Sequence, residues 1–454
     1  MGRSAVVFAW VGALALALGI LASWRPVVLV VLVLAAVAGW GLWTPQRLNH
    51  LLFGVLLLVP ATAAFGYPVE PVWMILLVGT IVACFGRIQR FHPDAPFGSP
   101  GLLGFVLPVV CLLTALVNTN RPKDLVAALV PFVCYAVITW HVVDEARRDP
   151  GAVRRTAQVF AWIGVPLAIL SIYQRVTGTW PVLDEFTINE AFTAHAGAGR
   201  SVGTLGHPIV YGTFCMLGMC VALALRGRMW QVPFVAGAIG LLLSGSRSVW
   251  IGTAAALVVW YLSLERKVTR RGIYIAVSSL VIGGGLVAIG PGPVGEVTDI
   301  LRARLTNVTG QSSATARYVR TEEAWAGVWH SPGTVLLGQG PEAHVRFFEQ
   351  VGVNDGLAQT FDNSYLTLWY DFGIFPLLIF VGALVAVLLK YKSLAARMLI
   401  TGFAVQIWFF DFFLWPAAAA TLILAIGLAV AESSPVQPGT ESQRSYSERP
   451  AFVR

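Results

Sequence analysis

Apolar runs of 17 or more residues recur along almost the whole chain, and that feature decides most of what it can fold into. The run from Val27 to Trp43 contains no ionisable residue. In hydrocarbon, the backbone of such a run satisfies its hydrogen bonds only as helix. Charged residues fill 12% of the 454 positions, about half the usual share, so a water-soluble core cannot absorb the excess. The expectation is an all-α, polytopic membrane protein with about 12–14 transmembrane helices and one large extracytoplasmic loop containing short helices. Spans are expected near 5–22, 26–43, 50–65, 71–86, 100–117, 125–142, 156–175, 208–225, 230–244, 247–264, 272–290, 364–389, 395–411 and 415–431. The first run reads as a span, because no small-residue cleavage site precedes a soluble domain.

Charge placement gives the orientation. Arg47, Arg87 with Arg90, the arginines of 147–155, Arg226 with Arg228, the run Glu265 to Arg271, and Lys390 with Lys392 and Arg397 all fall in alternate loops. With Arg3 and the tail arginines, 20 of the 31 basic residues lie on one side, which the positive-inside rule makes cytoplasmic. Both termini are expected there, in a cytoplasmic (inner) membrane. The net charge of +8 is therefore read as membrane orientation, and no nucleic-acid partner is expected. All five cysteines sit in apolar runs without metal-ligand spacing and read as packing residues. The chain divides into N-terminal transmembrane helices (1–175), helices with a first long outer loop (176–290), a large extracytoplasmic loop (291–363), C-terminal helices (364–431) and a disordered cytoplasmic tail (432–454).

Long loops on a rigid scaffold are where function tends to sit. Arg247 lies in the Ser-Gly break Leu243-Ser-Gly-Ser-Arg-Ser248 between two spans, where free backbone N–H groups beside a guanidinium suit a phosphate or a plain turn equally in kind. In the first loop, Gly199-Arg-Ser-Val-Gly-Thr-Leu-Gly-His-Pro208 brings Arg200 and His207 to the mouth of a span. In the second, Arg302, Arg304, Arg317 and Arg320 surround an expected amphipathic helix from Ser312 to Trp329, with Glu322 and Glu323 following. Those charges serve either a solvated salt-bridge face or bidentate phosphate recognition. Phe361-Asp-Asn-Ser-Tyr-Leu366 ends the loop, and Asp371-Phe-Gly373 follows one to two turns into the next span. Asp362 stands at an expected helix N-cap, a role compatible with service as a general base. Glu342 and His344 are alternatives for the base.

Taken in order, these motifs, with Leu337-Gly-Gln-Gly340 between them, resemble the O-antigen ligase and polymerase superfamily over about 190–385. The resemblance implies a multi-span glycosyltransferase of the GT-C type. Such an enzyme moves a glycan from an undecaprenyl-diphosphate carrier to an acceptor hydroxyl on a glycan or glycolipid, with inversion, no metal and no other cofactor. Carried over residue by residue, it makes Asp362 the base, with Arg247 and Arg317 at the diphosphate. Arg200, His207, Arg302, Arg304, Arg320, Asn363 and Tyr365 become substrate contacts. Ligases of this family carry His-Asn-x-Tyr-Leu where this chain has Asp362, which leaves ligase or polymerase open. A flippase or transporter of a lipid-linked polyanion and a non-catalytic envelope scaffold are the rival readings.

Overall fold

Proline opens several helices of this chain, because its fixed φ suits the first helical position, where a backbone N–H would be unpaired in any case. The computed structural model describes residues 106–118, 122–179, 200–227, 229–264, 321–350, 361–412 and 415–433. All the regular elements among them are helical. In chain order these are α1 (Leu107–Asn118), α2 (Pro122–Arg148), α3 (Pro150–Thr177), α4 (Pro208–Leu225), α5 (Gln231–Ser244) and α6 (Arg247–Ser263). They continue with α7 (Pro332–Leu337), α8 (Ala343–Gln350), α9 (Ser364–Phe372), α10 (Ile374–Lys390), α11 (Leu394–Gln406), a 3₁₀ turn (Ile407–Phe409) and α12 (Pro416–Ser433). The expected spans near 5–86 and 272–290, and the tail, lie outside the described residues.

Among the described residues two helices, α3 and α4, are long and apolar enough to cross a membrane. Helix α4 is buried on almost every side, with α3, α5, α6, α11 and α12 packed around it. Close approach there depends on small residues: a Cβ on Gly252 of α6 would come within 2.6 Å of the Gly402 carbonyl oxygen of α11. Large apolar side chains face outward from α3, α6 and α10, among them Val176, Leu262, Leu378 and Leu389. Such a surface asks for an apolar surround.

The bundle has two distinct ends. At one, Arg147 approaches Tyr391, Gly227 meets Gln158, and Arg155 pairs with Asp149 at 2.9 Å. At the other, Asn118 closes α1 by donating to the Leu337 carbonyl at 2.8 Å, and Gln174 near the end of α3 donates to the Gly203 carbonyl at 2.7 Å. This loop end carries a separate small core of Ala324, Val328, Phe348, Phe361, Leu366 and Tyr370, with Trp325, Phe347 and Trp369 against it. Residues 321–350 and α9 together form that cap.

Two expected spans are corrected. The run 364–389 is not one helix: it breaks at Gly373, which adopts φ 87° and packs so closely that a Cβ would overlap the Leu336 carbonyl. Helix α9 thus belongs to the cap and α10 to the bundle. The run 395–411 ends as α-helix at Gln406, and the 3₁₀ turn hands the chain to a connector, of which Phe410 to Phe412 and Trp415 are described, at the loop end. The cysteines Cys111, Cys134, Cys215 and Cys220 are buried and free, as the packing reading requires.

Candidate functional site

The Ser-Gly-Ser-Arg break is a true interruption between helices. Gly245 leaves α5 in the left-handed region (φ 58°), Ser246 is extended, and Arg247 opens α6. Arg200 reaches the same turn, its Nε donating to the Ser244 carbonyl at 3.1 Å, while Ser201 N–H donates to the Leu243 carbonyl at 3.0 Å. Arg200, expected as a further contact beside Arg247, is therefore brought to the same turn. Gly212 of α4 packs against Ser244 and Val249, which sets the start of α4 beside the break.

His207 caps α4, its Nδ1 accepting the Ile209 N–H at 3.3 Å. That acceptance fixes the neutral tautomer with its proton on Nε2. The ring stacks on Trp415 at 4.6 Å and on Phe410 at 5.8 Å, so the α4 mouth is tied to the 410–415 connector. The connector in turn binds the start of α9. Ser364 Oγ donates to the Phe410 carbonyl at 2.8 Å and accepts from Phe412 N–H at 2.9 Å, and Thr367 donates to the Asp411 carboxylate.

Asp362 sits next to this junction, and its conformation departs from expectation. The N-cap of α9 is Asn363, whose Oδ1 accepts from Tyr365 and Leu366 N–H at 3.1 Å each. Asp362 precedes the cap in the left-handed region (φ 53°), where an L side chain is strained and where aspartate and asparagine are the tolerated residues. Its carboxylate is thereby relieved of capping the helix. Tyr365 uses its hydroxyl on the Ala404 carbonyl at 2.8 Å. Arg302, Arg304, Arg317 and Arg320 lie outside the described residues.

Beneath Asp362 is a cluster that the motifs did not assemble. Asp371 accepts from the His344 backbone N–H at 3.0 Å and from His344 Nδ1–H at 2.6 Å, with both side chains less than a tenth exposed. Burial alone would lower the imidazole pKa. The neighbouring Asp371 charge and hydrogen bond, with Asp411 and Glu342, outweigh it and hold the pKa above its ordinary value. Asp411, almost fully buried in the connector, is pushed up to about 6 by burial, against the lowering effect of His344 and the Thr367 hydroxyl. The signal available in sequence was faint: single acidic residues at 371 and 411 in apolar stretches, and a histidine at 344 that offers itself as a base. Among the described residues no three His, Cys, Asp or Glu side chains converge as a metal site would.

Residues 232–381 match the family model described as O-antigen ligase, a stretch that begins in α5 and ends in α10 and takes in the break, the cap and Asp362. This stretch is similar to the O-antigen ligase family. The resemblance carried by the motifs is thus confirmed there. The match and the apolar helices together point to a membrane protein that transfers glycosyl groups to build polysaccharide from lipid-linked glycans. No curated protein matches the chain.

Proposed function

We propose that this protein is a polytopic inner-membrane glycosyltransferase, a ligase or polymerase, that transfers a glycan from an undecaprenyl-diphosphate carrier to an acceptor hydroxyl at the outer face. The observation that carries the reading is the family match over the segment holding Arg247 and Asp362. Two further features support it. Basic residues collect at one end of the bundle, as they would on a cytoplasmic face. At the opposite end Arg200 meets the Arg247 turn, while His207 and the start of α9, next to Asp362, meet on one connector.

In this reading Arg247 and Arg200 meet the diphosphate through the broken helix pair, His207 Nε2–H donates to the same region, and Arg317 adds charge, with Arg302, Arg304 and Arg320 further out. Asn363 and Tyr365 face the acceptor. The acceptor oxygen attacks the anomeric carbon, the bond from that carbon to the phosphate oxygen breaks, and the diphosphate leaves with the electron pair. Asp362 takes the hydroxyl proton. A single displacement inverts configuration, and the arginines stabilise charge that develops only as the carrier departs. The step needs no metal.

Purified protein in nanodiscs with an undecaprenyl-diphosphate-linked oligosaccharide and a hydroxyl acceptor is expected to release carrier diphosphate. Release absent while the donor crosses the bilayer would mark a flippase, and no effect on the donor would mark a scaffold. Arg247→Ala is expected to lower turnover by about 10² to 10³, the usual cost of losing a donor to developing charge. Arg247→Lys should recover only part, because a point charge lacks the bidentate fork.

A further inference from the structure

One buried imidazole is held by a carboxylate and feels the charge of others. Asp371 of α9 binds His344 twice, and the charges of Asp411 in the connector and Glu342 in the turn before α8 also bear on it. Asp371 and Asp362 in turn act by charge on Asp411. Cys111 of α1 lies on the other side of Asp371, and Arg346 spends its guanidinium on the Pro341 and Gln339 carbonyls. Two atoms in the group, His344 Nε2 and Asp411 Oδ1, are buried with no hydrogen-bond partner among the described residues. The His344 ring also rests on Phe361 at 6.2 Å, the residue immediately before Asp362.

Packing alone does not account for this arrangement, since apolar side chains of the same volume would fill the space without buried charge. The cluster joins the cap to the connector at the point where the strained Asp362 turn is held. We propose that His344 is a positioning residue for the transfer reaction: held by Asp371, its imidazolium balances the carboxylates whose charge bears on it and, through Phe361, fixes the turn that presents Asp362. This rests on the function proposed above.

The charge has a sign that can be tested. Removing it lets the surrounding carboxylates hold protons to higher pH, so the acid limb of the pH–rate profile moves up. His344→Gln keeps a side-chain N–H for Asp371 and carries no charge. In the nanodisc assay its acid limb is expected about one unit above that of wild type, which costs about tenfold in kcat at the foot of the profile. KM for the donor should stay within about twofold. Ring ¹⁵N spectra of full-length protein, with the His344 signal identified by its loss in His344→Gln, should show imidazolium predominating at about pH 6.5, where an ordinary histidine is half protonated. A neutral ring, or an unmoved acid limb in a His344→Gln protein whose kcat and melting temperature fall together, overturns the proposal and leaves a structural pair. If wild type releases no carrier diphosphate at all, the functional reading itself fails and the proposal with it. That failure appears before any substitution is made.

Discussion

In the bundle, α4, α6 and α11 approach one another through glycine and alanine, and most of what is buried there is aliphatic or aromatic. In the cap, aromatic rings pack around a buried, hydrogen-bonded histidine and aspartate. The difference is one of purpose. Close-packed apolar helices make a rigid frame whose stability is spread over many small contacts. A buried charged cluster is a poor way to gain stability, but it specifies one arrangement of the groups above it.

That contrast is easiest to break in the frame. Gly252→Ala would set a methyl 2.6 Å from the Gly402 carbonyl oxygen, and neither backbone can yield without parting α6 from α11. The expected outcome is a loss of about 3 kcal/mol or more, since overpacking against backbone lies at the upper end of its usual range. Thermal unfolding in detergent should show the whole protein affected. A Gly252→Ala protein of unchanged melting temperature would mean that the helices are not in this contact.

Asp371→Ala should act on the cap and spare the frame. It leaves the His344 imidazole buried without its acceptor and the first turn of α8 without its carboxylate. Breaking a buried pair in this way costs about 3–5 kcal/mol, here confined to local opening. Limited proteolysis should cut within 321–350 while the bundle helices stay protected. Uniform loss of protection would show that cap and frame unfold together.

At the basic end, Arg155→Ala should change little. Its partner Asp149 is about half exposed, as is Arg155 itself, and such pairs contribute under about 1 kcal/mol. Melting temperature and turnover close to wild type are expected. A large loss of turnover would move functional importance to the end where this account places none.

The pH dependence of cap stability follows from the same groups. His344 has a raised folded-state pKa, so its contribution is complete below its unfolded value and is lost as pH rises through the folded one. Asp411 is also raised, from 3.8 to about 6, so its ionisation between those values removes stability in the same direction. Asp411→Asn should therefore leave the cap at least as resistant to protease at pH 8 as wild type.

Much of this was legible in the chain. The Ser-Gly-Ser-Arg break could be read because glycine and serine interrupt an apolar run, but the Arg200 contact with Ser244 spans 44 residues and left no trace in the pattern. The split at Gly373 was hidden, because α9 is as apolar as a span, and only the backbone of Leu336 pressed against the glycine reveals it. Asp362 was placed one residue early as a cap, since aspartate and asparagine cap equally well and only geometry separates neighbours. The pairing of His344 with Asp371 joins residues far apart in sequence, and hydrophobic periodicity carries no trace of such a contact.

The most direct test of the account lies at Asp362. Asparagine tolerates the left-handed backbone as well as aspartate does, and the cap of α9 belongs to Asn363, so Asp362→Asn removes a base while keeping the backbone conformation and the helix cap. Turnover of undecaprenyl-diphosphate-linked donor by purified Asp362→Asn protein should fall by about 10² or more, with the melting temperature unchanged. Wild-type turnover at unchanged stability would contradict the assignment of Asp362 as the proton acceptor.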